Sequence, residues 1–313
     1  MSGWTISQIK DLTGIKAIVT GANSGLGYET AKALAANHAM VILTGRNVEK
    51  CEQAAQSIRL ECPESQISVS FLDLSDLTSV KVFAENQLDE PLDILINNAG
   101  IMATPYAQTV DGFEAQMATN HLGHFALTAL LWPALAKSPK ARIVNVTSFA
   151  HKFGKLRTAN EDEINMSKAN YRAWSVYGNS KLANLLFTYQ LNKKLKAAGL
   201  TQTVTSAHPG FSDTNLQVGV MRGREGFLKS LGTTFLNLGN AIMAQSAEMG
   251  ALPQIYAALI PELTNGEFIG PDGLMEARGY PKIVASSANA QNPQVAENLW
   301  LTSEKLTGIK FEI

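Results

Sequence analysis

Cysteine is nearly absent: Cys51 and Cys62 are the only two in 313 residues. They fall in one expected helix without CxxC spacing, so neither a disulfide framework nor a zinc site is indicated. An excess of charge of one sign is also missing. Twenty-six basic residues stand against 27 acidic ones, a formal net charge of −1, which gives no general field for nucleic acid or an anionic membrane. No hydrophobic run is long enough to span a bilayer: the most apolar, Phe125 to Ala136, is short, contains Pro133 and reads as a buried helix. The N-terminus has no basic start followed by an apolar run and no small-residue cleavage site, so export is not expected and the location reads as cytoplasmic. His121 and His124 lie three apart on an expected helix without a carboxylate or third ligand, which favours packing or hydrogen bonding over metal binding.

What is present is a large apolar fraction, 45% of residues, enough for one sizeable core. Short β-branched runs begin at Ile15, Met40, Ile67, Leu92, Arg142 and Thr203, and helical segments begin near Ser24, Asn47, Ser75, Gly112 and Tyr171. Apolar runs without strict alternation suit strands covered on both faces. Strand and helix in regular turn predict an α/β, Rossmann-type, doubly wound parallel sheet. The pattern breaks after Pro209. A Gly-punctuated apolar stretch covers residues 210 to 243, then a helix is expected near Ala244 to Leu259, a last strand at "GEFIG", and a closing helix capped by Asn292 and Pro293 and stopped by Gly308. No linker or repeat interrupts this, so residues 1–313 read as a single domain, with 210–245 as a variable substrate loop region.

The first strand runs into "TGANSGLG", Thr20 to Gly27, and then into a helix. Gly21, Gly25 and Gly27 permit a tight turn, close approach of backbone to a pyrophosphate and close helix packing. The helix N-terminus offers free amides, so these glycines with Asn23, Ser24 and Leu26 are candidate dinucleotide contacts. The second strand ends in "LTGRN", where a cofactor with a free ribose 2′-hydroxyl usually meets a carboxylate. None is available. Arg46, beside Asn47, can pair with a 2′-phosphate, which favours NADP(H) over NAD(H); a solvated arginine in a turn is the rival reading. Farther on, Tyr177 and Lys181 are one helical turn apart on one face. Alone, the pair far more often describes a half-buried tyrosine beside a solvated lysine.

Together with "NNAG" at 97 to 100 and Ser148 after the strand "RIVNV", these motifs resemble the short-chain dehydrogenase/reductase family over about the first 215 residues. "VTGANSGLG", "TNHLGHFALT" and "YGNSKLANLLF" are most similar to its retinol dehydrogenase-like branch, which includes relatives of light-dependent protochlorophyllide reductase. The resemblance implies that Tyr177 is the general acid or base, with Lys181 holding the nicotinamide ribose. A lysine one turn away and the positive nicotinamide ring of the oxidised cofactor would together bring the phenol pKa toward the working range. It further implies that Ser148 binds the substrate oxygen and that Asn120 positions a water linking Lys181 to solvent. Asp73 and Leu74 would meet the adenine, with a helix N-cap as the rival role for Asp73. Asn97, Asn98, Ala99 and Gly100 would line the cofactor, and Pro209, Gly210 and Thr214 would shape the nicotinamide pocket.

There are departures from the family. Twenty-eight residues separate Ser148 from Tyr177, a long insertion that would cap the site or alter subunit contacts, and a homo-oligomer is left open. The anchoring segment of many animal retinol dehydrogenases is not expected here, which counts against retinoid work at a membrane. No cysteine is near the expected site, which counts against a pigment reductase. The reading is an NADP(H)-dependent oxidoreductase for a small apolar aldehyde, ketone or alcohol, since Phe211 to Met243 is apolar with only five charged residues. The alternatives are a light-dependent protochlorophyllide-like reductase and a non-catalytic NADP-binding redox sensor.

Overall fold

Ala17, Ile18 and Val19 are fully buried, because the strand they form is covered by helices on both faces and needs no alternation. In the computed structural model, which describes residues 3–211, 245–264 and 266–313, this strand is β1 (Lys16–Thr20), followed by α1 (Gly25–Ala36). The next units are β2 (Met40–Gly45) with α2 (Val48–Glu61) and β3 (Gln66–Phe71) with α3 (Leu77–Glu85). After β4 (Ile94–Asn97) come a single turn, α4 (Ala115–Met117), a π-helical segment at Ala118–Leu122, and α5 (Gly123–Ala136). Then follow β5 (Arg142–Val146), α6 (Glu161–Ile164), α7 (Ala173–Ala197) and β6 (Thr203–Ala207). The later elements are α8 (Ala247–Leu259), β7 (Phe268–Pro271), β8 (Pro281–Ile283) and α9 (Pro293–Thr307).

The strands form one sheet in the order β3-β2-β1-β4-β5-β6-β7-β8, parallel except for β8, which pairs antiparallel with β7. The expected doubly wound α/β sheet is therefore present, and its order reverses between β1 and β4, where such sheets open a crevice at the carboxyl ends of the strands. One apolar layer joins α3, α5 and α7 to the sheet, and the other joins α1, α2 and α8. Among the described residues no helix is long and apolar enough to cross a membrane.

Two local readings are corrected. "GEFIG" is not the last strand: β8 follows it, too short at three residues to show a period. Helix α3 is capped by Asp76, whose carboxylate accepts from Thr78 N and Ser79 N. Asp73 is not that cap; its Oδ1 instead accepts from the Ser75 amide and hydroxyl at 2.9 and 2.6 Å. The expected substrate wall from 212 to 243, with Thr214, lies outside the described residues.

The chain end completes the core. Phe311 stacks on Trp300 at 4.9 Å and meets Phe125, Trp132 and Phe187 edgewise or tilted. Its amide donates to Glu304 Oε1 at 3.0 Å. This packs the last helix beside α7, which bears Tyr177 and Lys181. Phe311→Ala is expected to cost about 3 kcal/mol of stability through the cavity it opens. Urea unfolding checks it: a midpoint within error of the parent would show that the chain end does not support the core.

Candidate active site

The glycine turn is built by close backbone approach. Gly21 has φ +65°, and a Cβ there would meet Ala99 Cα at 2.9 Å, so only glycine lets β1 pass this close to the NNAG segment. Ser24 occupies the N-cap of α1 without a side-chain hydrogen bond, leaving its hydroxyl uncommitted to the helix. Leu26 and Gly27 are buried in the first turn. Asn23, Ser24 and Gly25 line a cavity of about 460 Å³ with Tyr28, Lys50, Gln53 and Ser57. Arg46 is exposed just beyond β2. Asn47 is spent differently: its Oδ1 caps α2 by accepting from Lys50 N at 2.8 Å.

The NNAG residues divide between two tasks. The Asn97 amide, expected to line the cofactor, is instead fully buried and donates to Thr128 Oγ1 at 3.0 Å and Asn145 Oδ1 at 2.9 Å. It ties β4 to β5 and α5. Asn98 Nδ2 donates to Thr20 O at 2.7 Å, and the amides of Asn98 and Ala99 both donate to Thr20 Oγ1 at 2.9 Å. At Gly100 a Cβ would lie 3.1 Å from Asn120 Oδ1 and 3.4 Å from Lys181 Nζ, so the missing side chain brings backbone, amide and ammonium together. Leu74 is buried, and Asp73 is partly buried in its turn with Ser75.

Asn120 lies in the π-helical segment, a form of helix that recurs at functional sites. Its Oδ1 accepts from Ile101 N at 2.8 Å, and its Nδ2 donates to Ile101 O and Ser180 Oγ, both at 2.9 Å. Ser148 caps the short 3₁₀ turn after β5, and its hydroxyl is a hydrogen-bond partner of the Tyr177 phenol. Tyr177 and Lys181 are both buried on α7, with Nζ 5.9 Å from the phenol ring centroid. Lys181 Nζ donates to Val146 O at 3.2 Å. Burial pushes the Tyr177 phenol up, partly offset by the Ser148 bond, and pushes Lys181 down to about 8. In the chain by itself burial thus outweighs any lowering of the phenol by the lysine.

Farther along, Pro209 and Gly210 are clamped from the chain's far end. Phe211 N donates to Ala277 O at 2.7 Å, and Gln245 Nε2 donates to Pro209 O at 2.8 Å. Buried His208 places Nε2 3.1 Å from Glu276 Oε2. The 149–176 insertion folds onto the segment after NNAG: Tyr171 donates to Thr104 O at 2.6 Å and accepts from Gln116 Nε2 at 2.6 Å. His121 and His124 are hydrogen-bonded to Ser303 and Thr20 respectively.

Sequence reading missed Thr20, Lys50 and the Glu276 turn. Thr20 stood inside the quoted glycine motif, and Lys50 lies four residues after Arg46. Glu276 had no local signal, because only β7–β8 pairing brings it back to His208.

The sequence comparisons agree with this geometry. Residues 16–160 match the short chain dehydrogenase family profile. The chain is 38% identical to human retinol dehydrogenase 13 over 303 residues, covering 96% of this chain and 86% of that protein. It is 39% identical to mouse retinol dehydrogenase 12 over 305 residues, covering 96% and 89%. An uncharacterized protein from Mycobacterium paratuberculosis has a solved structure that superposes with a TM-score of 0.81 at 40% identity, covering 100% of both chains. Motif order, sheet topology and full-length similarity thus converge: the chain belongs to the short-chain dehydrogenase/reductase family, in its retinol dehydrogenase-like branch, and is an oxidoreductase of the hydride-transfer type.

Proposed function

We propose that this chain is an NADP(H)-dependent oxidoreductase that interconverts apolar aldehydes or ketones with their alcohols. The observation that supports it most is the gathering of the Ser148 hydroxyl, the Tyr177 phenol and the Lys181 ammonium beside the Gly21–Ala99 contact. The turn at that contact fits a dinucleotide, because Gly21 and Gly25 take positive φ there and the Ser24 hydroxyl at the start of α1 makes no capping bond, leaving the helix N-terminus open to a pyrophosphate. When bound, the dinucleotide supplies the hydride and, once oxidised, a positive ring beside the phenol.

The chain's own residues supply the proton. Tyr177, kept protonated by burial, donates its phenolic proton to the carbonyl oxygen as negative charge develops there. Ser148 donates a hydrogen bond to the same oxygen, and Lys181 as an ammonium stabilises the phenolate left behind. NADP(H) is favoured because Thr44 to Asn47 contain no carboxylate, Asn47 is committed to capping α2, and Arg46 and Lys50 are both exposed, Lys50 lining the cavity beside the glycine turn. An apolar substrate is favoured by the rings around the proton donor. Trp174 is 57% exposed and meets Tyr177 edgewise at 6.2 Å, and Phe149 and Phe153 pack edgewise at 6.1 Å directly after Ser148. Relatives at 38% and 39% identity are named for retinol, itself an apolar alcohol.

A homologous series of aldehydes followed by NADPH absorbance tests the reading. Expected is a rise in kcat/KM with chain length of up to about 0.8 kcal/mol per buried methylene, with turnover reduced about a thousandfold in Tyr177→Phe while NADPH still binds. A flat series, or an active Phe variant, would sink it. A cofactor that binds without any turnover would leave only the redox-sensor reading.

Cofactor choice has its own check. Arg46→Asp is expected to move the NADPH/NADH affinity ratio toward NADH by roughly tenfold to a hundredfold, the worth of hydrogen bonds to a charged group. An unchanged ratio would remove Arg46 from the site.

The buried lysine sets a pH limb. Carbonyl reduction needs the ammonium, so kcat is expected to stay level up to pH about 8, the Lys181 value, and to fall above it while Tyr177 is still protonated. Lys181→Arg keeps its charge past pH ~12, and in that variant the fall is expected to move upward or vanish. A limb that stays at the same pH in the Arg variant would belong to another group.

A further inference from the structure

His124 is buried and titratable, and the proton-transfer scheme has no use for it. It lies at the start of α5, one turn after Asn120, and is 2% exposed. Its Nδ1 is 3.1 Å from the Asn120 carbonyl oxygen, and its Nε2 is 2.9 Å from Thr20 Oγ1. A carbonyl can only accept, so Nδ1 carries the proton and Nε2 is an acceptor. The Thr20 hydroxyl then donates to Nε2. Ile96 O, at 3.3 Å, is the more distant acceptor for that proton, and the oxygen's lone pairs remain free for the amides of Asn98 and Ala99, which is how they are placed. Burial holds the ring neutral, with a pKa of about 3, so this tautomer does not change across working pH.

These bonds form a closed circuit. Thr20 holds Asn98 and Ala99, the chain continues to Ile101, Ile101 is paired in both directions with the Asn120 amide, and His124 returns from Asn120 to Thr20. The circuit touches both halves of the site. Thr20 immediately precedes Gly21, while Asn120 shares the Gly100 corner with Lys181 Nζ and bonds Ser180, the residue before Lys181.

We propose that His124 is a positioning residue that holds the peptide of Asn120, whose side-chain oxygen stands at the Gly100 corner with Lys181, and couples it to Thr20 at the glycine turn, linking proton delivery to the seating of the dinucleotide. This rests on the oxidoreductase reading above. The two ring nitrogens have separable tasks, and two amide variants separate them. In His124→Asn the amide reaches the Nδ1 position and restores a donor to Asn120. In His124→Gln it reaches the Nε2 position and restores an acceptor for Thr20.

The experiment measures kcat and KM for an apolar aldehyde, the solvent deuterium isotope effect on kcat, and NADPH affinity by fluorescence, all on the full chain. His124→Gln is expected to lose between about tenfold and about a hundredfold in kcat, with a larger isotope effect, an unchanged aldehyde KM and near-parental NADPH affinity. His124→Asn is expected to keep most of kcat and to bind NADPH more weakly. Equal losses in both variants, or a Gln variant with parental kcat and isotope effect, would overturn the proposal and leave His124 as a packed core side chain. An unsubstituted protein that turns over no carbonyl would instead take down the oxidoreductase reading and this inference with it.

Discussion

Where the strands of a parallel sheet stop together, their last peptide groups lose their ladder partners, and groups buried as deeply as those of Thr20 and Val146 need protein partners in their place. In this protein side chains make up the loss. The Thr20 hydroxyl accepts two amides of the neighbouring segment, Asn98 holds the Thr20 carbonyl, and Asn184 and Lys181 share the carbonyl of Val146 at the end of β5. Behind them Asn97, Asn145 and Thr188 connect two strands to α5 and α7. The crevice exists because these bonds let the backbone end there satisfied, and the candidate catalytic groups stand on the elements so joined.

The same dryness governs the chemistry. Burial raises the energy of each charged form, so the phenol keeps its proton and the ammonium is ready to release one. A tyrosine that holds its proton suits the delivery of that proton to a carbonyl. In the opposite direction the phenolate has to be favoured by charge that the folded chain does not itself provide in sufficient measure. One turn of helix between Tyr177 and Lys181 is therefore a statement of proximity, and the environment decides its electrostatic sign.

Much of this was legible in the sequence. β-branched runs without alternation marked the doubly wound sheet, the glycine spacing marked the turn after β1, and Asn292, Pro293 and Gly308 bounded the final helix where the chain places it. Proximity of Ser148 to Tyr177 could be read only through the family resemblance, since 28 residues lie between them. The illegible parts share a cause. Asn97 looked like a ligand contact because its type and place in the motif are polar, yet which way a strand residue faces depends on neighbours remote in sequence. Glu276 reaches His208 through a hairpin formed by β7 and β8, and a three-residue strand leaves no period to detect.

That hairpin affects the order in which the molecule can be completed. A chain emerging from the ribosome folds from its N-terminus, and the glycine turn, NNAG segment and Asn120 all lie within the first 120 residues. Pro209 to Phe211, by contrast, are held by Ala277 and Gln245, and the aromatic cluster behind α7 waits for Phe311. The glycine turn is no more self-sufficient: Gln254 of α8 donates to Thr30 and Asn98, and α8 shares the apolar layer of α1 and α2. Both halves of the crevice therefore close only on segments that leave the ribosome after β6, and a chain stopped short of α8 would complete neither.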